Sequence, residues 1–298
     1  MTMTKTSGRR SAPANFEHRK VESTPGDKAV ASVSHVVLVI WSAIVILPLL
    51  WTIMSSFKSS SEIFASPFSL PTVWRFDNYA KAWTEAGIGS YFLNSVIVVG
   101  SALVLVMLLG AMCAYVLARF VFPGSRAIYY LMLAGLTFPP FLAMVPLFGI
   151  LRSMGLLNNL FGLILTYVGF ALPFTVFFLF SFFKSLPHEI TEAASLDGAG
   201  DWRTFFQIML PMAKPGLASV AIFNFLGLWN QFLIPVALNA GGPKVLSQGL
   251  ASFASQMGYA VDFGALFAAV TVTVLPVLVV YVIFQRQLQG SVSQGTLK

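Results

Sequence analysis

Six stretches of this chain run for the width of a bilayer without one Asp, Glu, Lys or Arg: residues 36–57, 94–118, 127–151, 160–183, 215–238 and 263–284. Crossing hydrocarbon takes about 20 predominantly apolar residues in a helix, and only helices and closed barrels satisfy their backbone groups there. A water-soluble bundle would carry a polar stripe at helical period on these segments, and they mostly do not. Hydrophobic residues make up 57% of the 298 and charged residues 10%, which excludes an ordinary soluble domain. The pattern predicts an all-α polytopic membrane protein with six transmembrane helices.

The first stretch exceeds the roughly 7–15 apolar residues of a signal peptide and starts late, so it reads as a retained span. Cys113, the single cysteine, lies inside the second stretch, which leaves no disulfide framework and no Cys-based metal site. Orientation follows Lys and Arg. One side takes Lys5, Arg9, Arg10, Arg19, Lys20, Lys28, Arg119, Arg126, Lys184, Arg203, Lys214, Arg286 and Lys298; the other takes Lys58, Arg75, Lys81, Arg152 and Lys244. Both termini are therefore expected in the cytoplasm, and residues 1–35 supply most of that asymmetry. That tail is rich in Ser, Thr, Pro and charge and reads as disordered. Its basic balance serves orientation; no basic patch with interleaved aromatics follows, so nucleic acid is not an expected partner.

What the spans lack narrows the mechanism. A charge at the bilayer centre costs roughly 2.5–3.5 kcal/mol on insertion scales, and ion-coupled carriers retain such groups for function. None is present here, no internal repeat is visible, and no G-x-x-x-x-G-K-[ST] phosphate loop exists. Energy, if it is used, comes from a partner. A self-sufficient facilitator or ion-coupled carrier, and a non-transporting scaffold or receptor, are the alternatives. His18, His35 and His188 all fall outside the spans, and no His pair, carboxylate pair or Ser/His/Asp set suggests catalysis.

Between the fourth and fifth stretches, residues 184–214 form a charged insert with helix signals. Ser185 is placed to cap a helix with Pro187 in its first turn, and Glu189 and Glu192 sit near the positive end of its dipole. Gly198 falls where a left-handed C-terminal cap is wanted. Asp201 then caps a second helix that runs through Phe205 and Ile208 until Pro211 stops it. Ile190, Ala193, Ala194 and Asp197 share one face by spacing, and the small alanines let that face enter a groove. A helix lying on anionic lipid would be basic; this one carries Glu189, Glu192, Asp197 and Asp201 against His188 and Arg203.

The set Glu192, Ala193, Ala194, Asp197, Gly198, Ala199, Ile208, Leu210 and Pro211 (E-A-A, two residues, D-G-A, eight residues, I-x-L-P) resembles the cytoplasmic docking loop of permease subunits from binding-protein-dependent ABC importers. The likeness extends over most of residues 36–298: Lys58 to Phe64 followed by Asn78, Tyr79 and Trp83; Asn94, Ser95 and Val96; Gly155 to Asn159; and Trp229 with Asn230. It is nearest to the second, six-span permease of maltose and glycerol-3-phosphate type systems. The resemblance implies a coupling-helix loop on the cytoplasmic face of a permease domain over residues 36–284, with a cytoplasmic tail at 285–298. It implies half of a heterodimeric pore in the prokaryotic cytoplasmic membrane, a second permease subunit, two ATP-binding cassette subunits that hold ATP-Mg, and an extracytoplasmic solute-binding protein. The chain itself is expected to bind no cofactor and to be no enzyme, and its substrate is expected to be a carbohydrate or related small polar solute.

Two further segments carry candidates. Residues 239–262, polar and interrupted by Gly241-Gly242-Pro243, are either a flexible connector or a loop that reaches the binding protein, with Lys244, Ser247, Gln248, Ser255 and Gln256 as contacts. Asn224, Trp229, Asn230 and Gln231 in the fifth stretch are candidate pore contacts; the amides serve either interhelical hydrogen bonds or the solute, and Trp229 either anchors at the interface or stacks on a sugar. Pro139, Pro140, Pro146, Pro173 and Pro276 are expected to kink their helices.

Overall fold

A computed structural model describes residues 25–256 and 262–295. Every regular element among them is helical. The chain divides into two compact units at Leu50–Trp51. Helix α1 (Pro25–Ser55) supplies the first unit and runs past the boundary. It begins ten residues before the expected end of the disordered tail, with Pro25 in the first turn, where its missing N–H is tolerated. The rest of the tail, residues 1–24, lies outside the described residues.

The second unit opens with the short helices α2 (Ser60–Ala65) and α3 (Asp77–Ala80) and a π-helical turn, Lys81–Glu85. It continues with α4 (Ile88–Arg119), α5 (Ser125–Thr137), α6 (Pro140–Ser153), α7 (Leu160–Ser185), α8 (Glu189–Leu196) and α9 (Asp201–Arg203). A second π-helical segment, Thr204–Met209, leads into α10 (Leu210–Met212), α11 (Lys214–Trp229), α12 (Leu233–Leu238), α13 (Leu246–Gln256) and α14 (Phe263–Gly295). Helices α1, α4, α7 and α14 are each long and apolar enough to span a membrane; α5 with α6, and the 201–212 segment with α11, are bent pairs that bring the number to six if each pair is counted as one span.

The central packing is α4 against α7. A Cβ on Gly110 would meet Thr175 Cγ2 at 2.4 Å, so the missing side chain sets how closely these helices approach. The expected kinks resolve unequally. Pro139 and Pro140 break the third stretch completely: α5 and α6 meet at 107°, since Pro139 holds Phe138 extended and Pro140 takes the first helical turn of α6. Pro146, Pro173 and Pro276 lie inside helices that continue through them. The fifth stretch ends at Trp229 instead of reaching 238; α12 is a separate turn. Helix α14 runs on to Gly295, beyond the expected end at 284.

The connections sort into two ends. At one, Lys81 pairs with Asp262 (3.6 Å), Ser60 accepts from the Phe263 N–H (3.0 Å), Asn94 donates to Lys244 O (2.9 Å), and the Asn158 N–H donates to Leu238 O (3.1 Å). At the other, the last turn of α4 meets the segment between α7 and α11, around a core of Tyr115, Phe183, Phe205 and Met209.

Candidate functional site

The docking segment begins where α7 stops. Ser185 belongs to α7 and its hydroxyl donates to Phe182 O (2.8 Å), so it does not cap α8 as expected. Leu186, ahead of a proline, is extended, and His188 takes the N-cap position with no side-chain hydrogen bond. Within α8 only Ala194 is buried, and Ile190 is half-buried beside it at i, i+4 spacing. Ala193 and Asp197 point to solvent, so the face expected from spacing is divided. The helix closes in a Schellman cap: the Ala199 N–H donates to Ala194 O (2.9 Å), the Gly198 N–H donates to Ser195 O (3.1 Å), and Gly198 has φ 75°.

Beyond the cap the chain departs from expectation twice. Gly200, not Asp201, is the N-cap of the next helix. Pro211 does not end that helix; it sits in the first turn of α10, where its missing N–H is tolerated, and the bend of 76° comes at Ala213. Phe205 and Met209 are buried, Ile208 and Leu210 half-buried, and Pro211 exposed. A cavity of about 330 Å³ opens between Tyr115, Val116 and Phe120 of the α4 end and Asp201 and Trp202.

The exposed surface of this segment is acidic and apolar together. Glu189, Glu192, Asp197 and Asp201 are exposed, and among the described residues none of them forms an ion pair. Leu196 is 90% exposed and Trp202 66%, with the Trp202 ring stacked on Phe206 at 5.9 Å. Reading by motif misses Leu196 and Trp202. The signal available was an isolated large apolar residue on each side of the Asp-Gly cap, in a segment too short to bury it.

The pore candidates separate into two pairs. Asn224 and Gln231 line one cavity of about 370 Å³ with Gly135, Phe138, Pro140 and Phe174, which places the α5–α6 bend and α7 opposite them. Asn224 is buried and donates to Thr175 Oγ1 (2.8 Å) and to Met107 Sδ (3.6 Å), tying α11 to α7 and α4. Trp229 lies outside this cavity. Its Nε1–H donates to Thr273 O (3.2 Å), and its ring stacks on Phe225 (5.6 Å) and meets Phe92 in a T-shaped contact. Asn230 is exposed and donates to Leu226 O of its own helix (2.8 Å).

Residues 239–256 are folded into a hydrogen-bonded clasp. Gln248 is buried; its amide donates to Pro235 O (2.9 Å) and Asn239 O (3.2 Å) and accepts from the Val245 N–H (3.3 Å). Ser247 donates to Gln231 O (2.7 Å) and Lys244 to Ser252 Oγ (2.8 Å). Asn158, at φ 57°, accepts from the Gly241 N–H (2.8 Å). Of the five contact candidates, Ser255 is exposed, its hydroxyl bonded to Ser252 O (3.0 Å); Lys244 and Ser247 are half-buried, and the Gln256 side chain lies outside the described residues.

A charge-free helical bundle with an exposed, acid-bearing insert at one end and a polar clasp at the other is the architecture of a membrane permease driven from outside itself. Residues 106–294 match the family described as the binding-protein-dependent transport system inner membrane component, and the chain belongs to that family. It is 70% identical over 273 residues to the diacetylchitobiose uptake system permease protein NgcG of Streptomyces coelicolor, covering 91% of this chain and 90% of that protein. It is 33% identical to the trehalose transport system permease protein SugB of Mycobacterium tuberculosis, over 85% of this chain and 92% of that protein. Its fold matches a chain of a bacterial ABC transporter involved in import of the acidic polysaccharide alginate, with a TM-score of 0.77 at 21% identity, over 88% of this chain and 98% of that chain. The protein is thus a permease subunit of an ABC importer, a multi-pass protein of the inner membrane and not an enzyme. As a family, such subunits work with another permease, ATP-binding subunits and a solute-binding protein.

Proposed function

We propose that this chain forms half of a heterodimeric pore for a neutral oligosaccharide of the N-acetylated amino-sugar type. The observation that carries the substrate class is the 70% identity to a permease named for diacetylchitobiose uptake. The cavity chemistry agrees with it. Asn224 and Gln231 are uncharged amides among aromatic rings, Phe138 and Phe174, which suits a solute of alternating C–H faces and polar edges. The termini and the 184–214 segment face the cytoplasm, following the Lys and Arg distribution. There α8 docks on one of two ATP-binding cassette subunits, which hold ATP-Mg; this chain binds no cofactor. Glu192 faces basic or polar groups of that subunit; Trp202 supplies an aromatic anchor, a residue type that dominates interfaces when buried at their centre, and Leu196 adds exposed apolar area. At the opposite end Lys244, Ser247 and Ser255 belong to the surface offered to the binding protein.

The test is uptake of radiolabelled N,N′-diacetylchitobiose by the complete importer in vesicles with ATP inside. Uptake that unlabelled diacetylchitobiose suppresses and maltose does not supports the assignment. No ATP-dependent uptake of labelled diacetylchitobiose, with labelled maltose taken up instead, overturns the substrate class and leaves the permease reading intact.

A further inference from the structure

We propose that Arg119 is a positioning residue that makes the docking segment and α4 move as one body; this rests on the docking reading of α8 above. Arg119 is the last residue of α4. Its guanidinium reaches across to the turn between α7 and α8, where Nη2 donates to Leu186 O (2.9 Å), the principal bond, and Nη1 more weakly to Pro187 O at 3.4 Å. That turn has little else to hold it. Leu186 is extended, Pro187 has no N–H, and the Leu186 N–H bond to Phe183 O is long at 3.4 Å. A fork of donors fixed in one plane suits two successive carbonyls, and an ammonium does not supply it. The Arg119 Nε is buried with no hydrogen-bond partner. A buried unpaired donor is costly, and here it accompanies a guanidinium whose two outer nitrogens both face the turn.

One turn back along α4, Tyr115 completes the grip. Its ring lies 5.7 Å from Phe183, before α8, and 5.0 Å from Phe205, after it. The end of α4 therefore holds the docking segment on both flanks. Helix α8 buries only Ala194 for itself, and the cavity beside Trp202 leaves the α4–α9 contact incomplete. A push delivered to α8 reaches the long α4–α7 contact through Arg119 and Tyr115. Without the guanidinium, α8 tilts on its Leu186–Pro187 hinge while α4 stays behind.

The experiment uses the complete importer in lipid vesicles, with Cys113→Ala as background and nitroxide labels at Ser195→Cys on α8 and Val121→Cys just beyond α4, both exposed. The expected distance distribution is narrow and keeps its width between nucleotide-free and ATP-bound states. Arg119→Ala broadens it, with solute moved per ATP hydrolysed down about tenfold or more, the loss expected for charge-assisted bonds, while ATP hydrolysis persists. Arg126→Ala, which removes an exposed charge nearby, leaves both readings unchanged. If the alanine variant does not assemble, Arg119→Lys carries the test, since it keeps the charge and loses the fork. A narrow distribution with unchanged transport per ATP in whichever variant assembles overturns the proposal. Failure of the docking reading appears separately: a photo-cross-linker at Ser195→Cys in the otherwise native complex then captures no ATPase subunit, and the proposal falls with it.

Discussion

Replacing Gly198 with alanine isolates the backbone strain of the docking cap, because nothing lies within 4 Å of where the new Cβ would sit. Within this chain the cost is conformational alone. At φ 75° an L-residue carries about 1–2 kcal/mol that glycine escapes, enough to change a local equilibrium about 5- to 30-fold. The Ala199 N–H, bonded to Ala194 O at 2.9 Å, closes that cap and reports its opening through hydrogen exchange. In the assembled importer, Gly198→Ala is expected to speed Ala199 exchange by about that factor and to lower solute moved per ATP. Gly198→Asn, a residue that visits the left-handed region with less penalty, falls between alanine and glycine. Gly198→Pro is worse than alanine, because its φ near −65° is incompatible and it loses the donor to Ser195 O. Gly124→Ala is the control: φ is 89° and its surroundings are equally open, but it lies in the α4–α5 turn. Ala199 exchange unchanged by Gly198→Ala, or changed equally by Gly124→Ala, refutes the argument.

Three other outcomes are expected. Glu192→Lys reverses an exposed charge without touching the core, so insertion and pairing with the second permease persist while the yield of co-purified ATPase subunit, or its stimulation by solute, falls. Asn158→Ala removes the acceptor of the Gly241 N–H and places alanine at φ 57°, a loss of about 2 kcal/mol; limited proteolysis should find the 239–245 segment opened. Glu62 accepts from the Thr72 N–H, which holds its carboxyl below the ordinary range. A lowered folded-state pKa stabilises above the unfolded value and is lost as pH falls through the folded one, so the protection of the Thr72 amide, its exchange rate relative to the intrinsic rate at the same pH, should fall in acid below about pH 4, and Glu62→Gln should remove that dependence.

Features that depend on neighbours along the chain are legible in the amino-acid sequence. Six uncharged stretches demand helices in hydrocarbon whatever surrounds them. Glu192-Ala-Ala with Asp197-Gly198-Ala199 encodes a helix and its cap within a few residues, and the cap forms as its glycine requires. The Lys and Arg distribution, also readable without a fold, supplies the orientation now proposed. The site residues were less legible, since a side chain's partner lies far away in sequence. Asn224 is an amide in an apolar stretch until α7 brings Thr175 against it. Trp229 looks free to stack on a solute until α14 offers Thr273 O. Gln248 looks like a surface contact until the clasp folds over it. Tertiary packing alone settles these partners, along with the reach of Arg119 to a turn 67 residues further along the chain. Local pattern dictates which segments are helical because helix hydrogen bonds are short-range; which face of each helix is buried depends on packing against segments that local pattern does not contain.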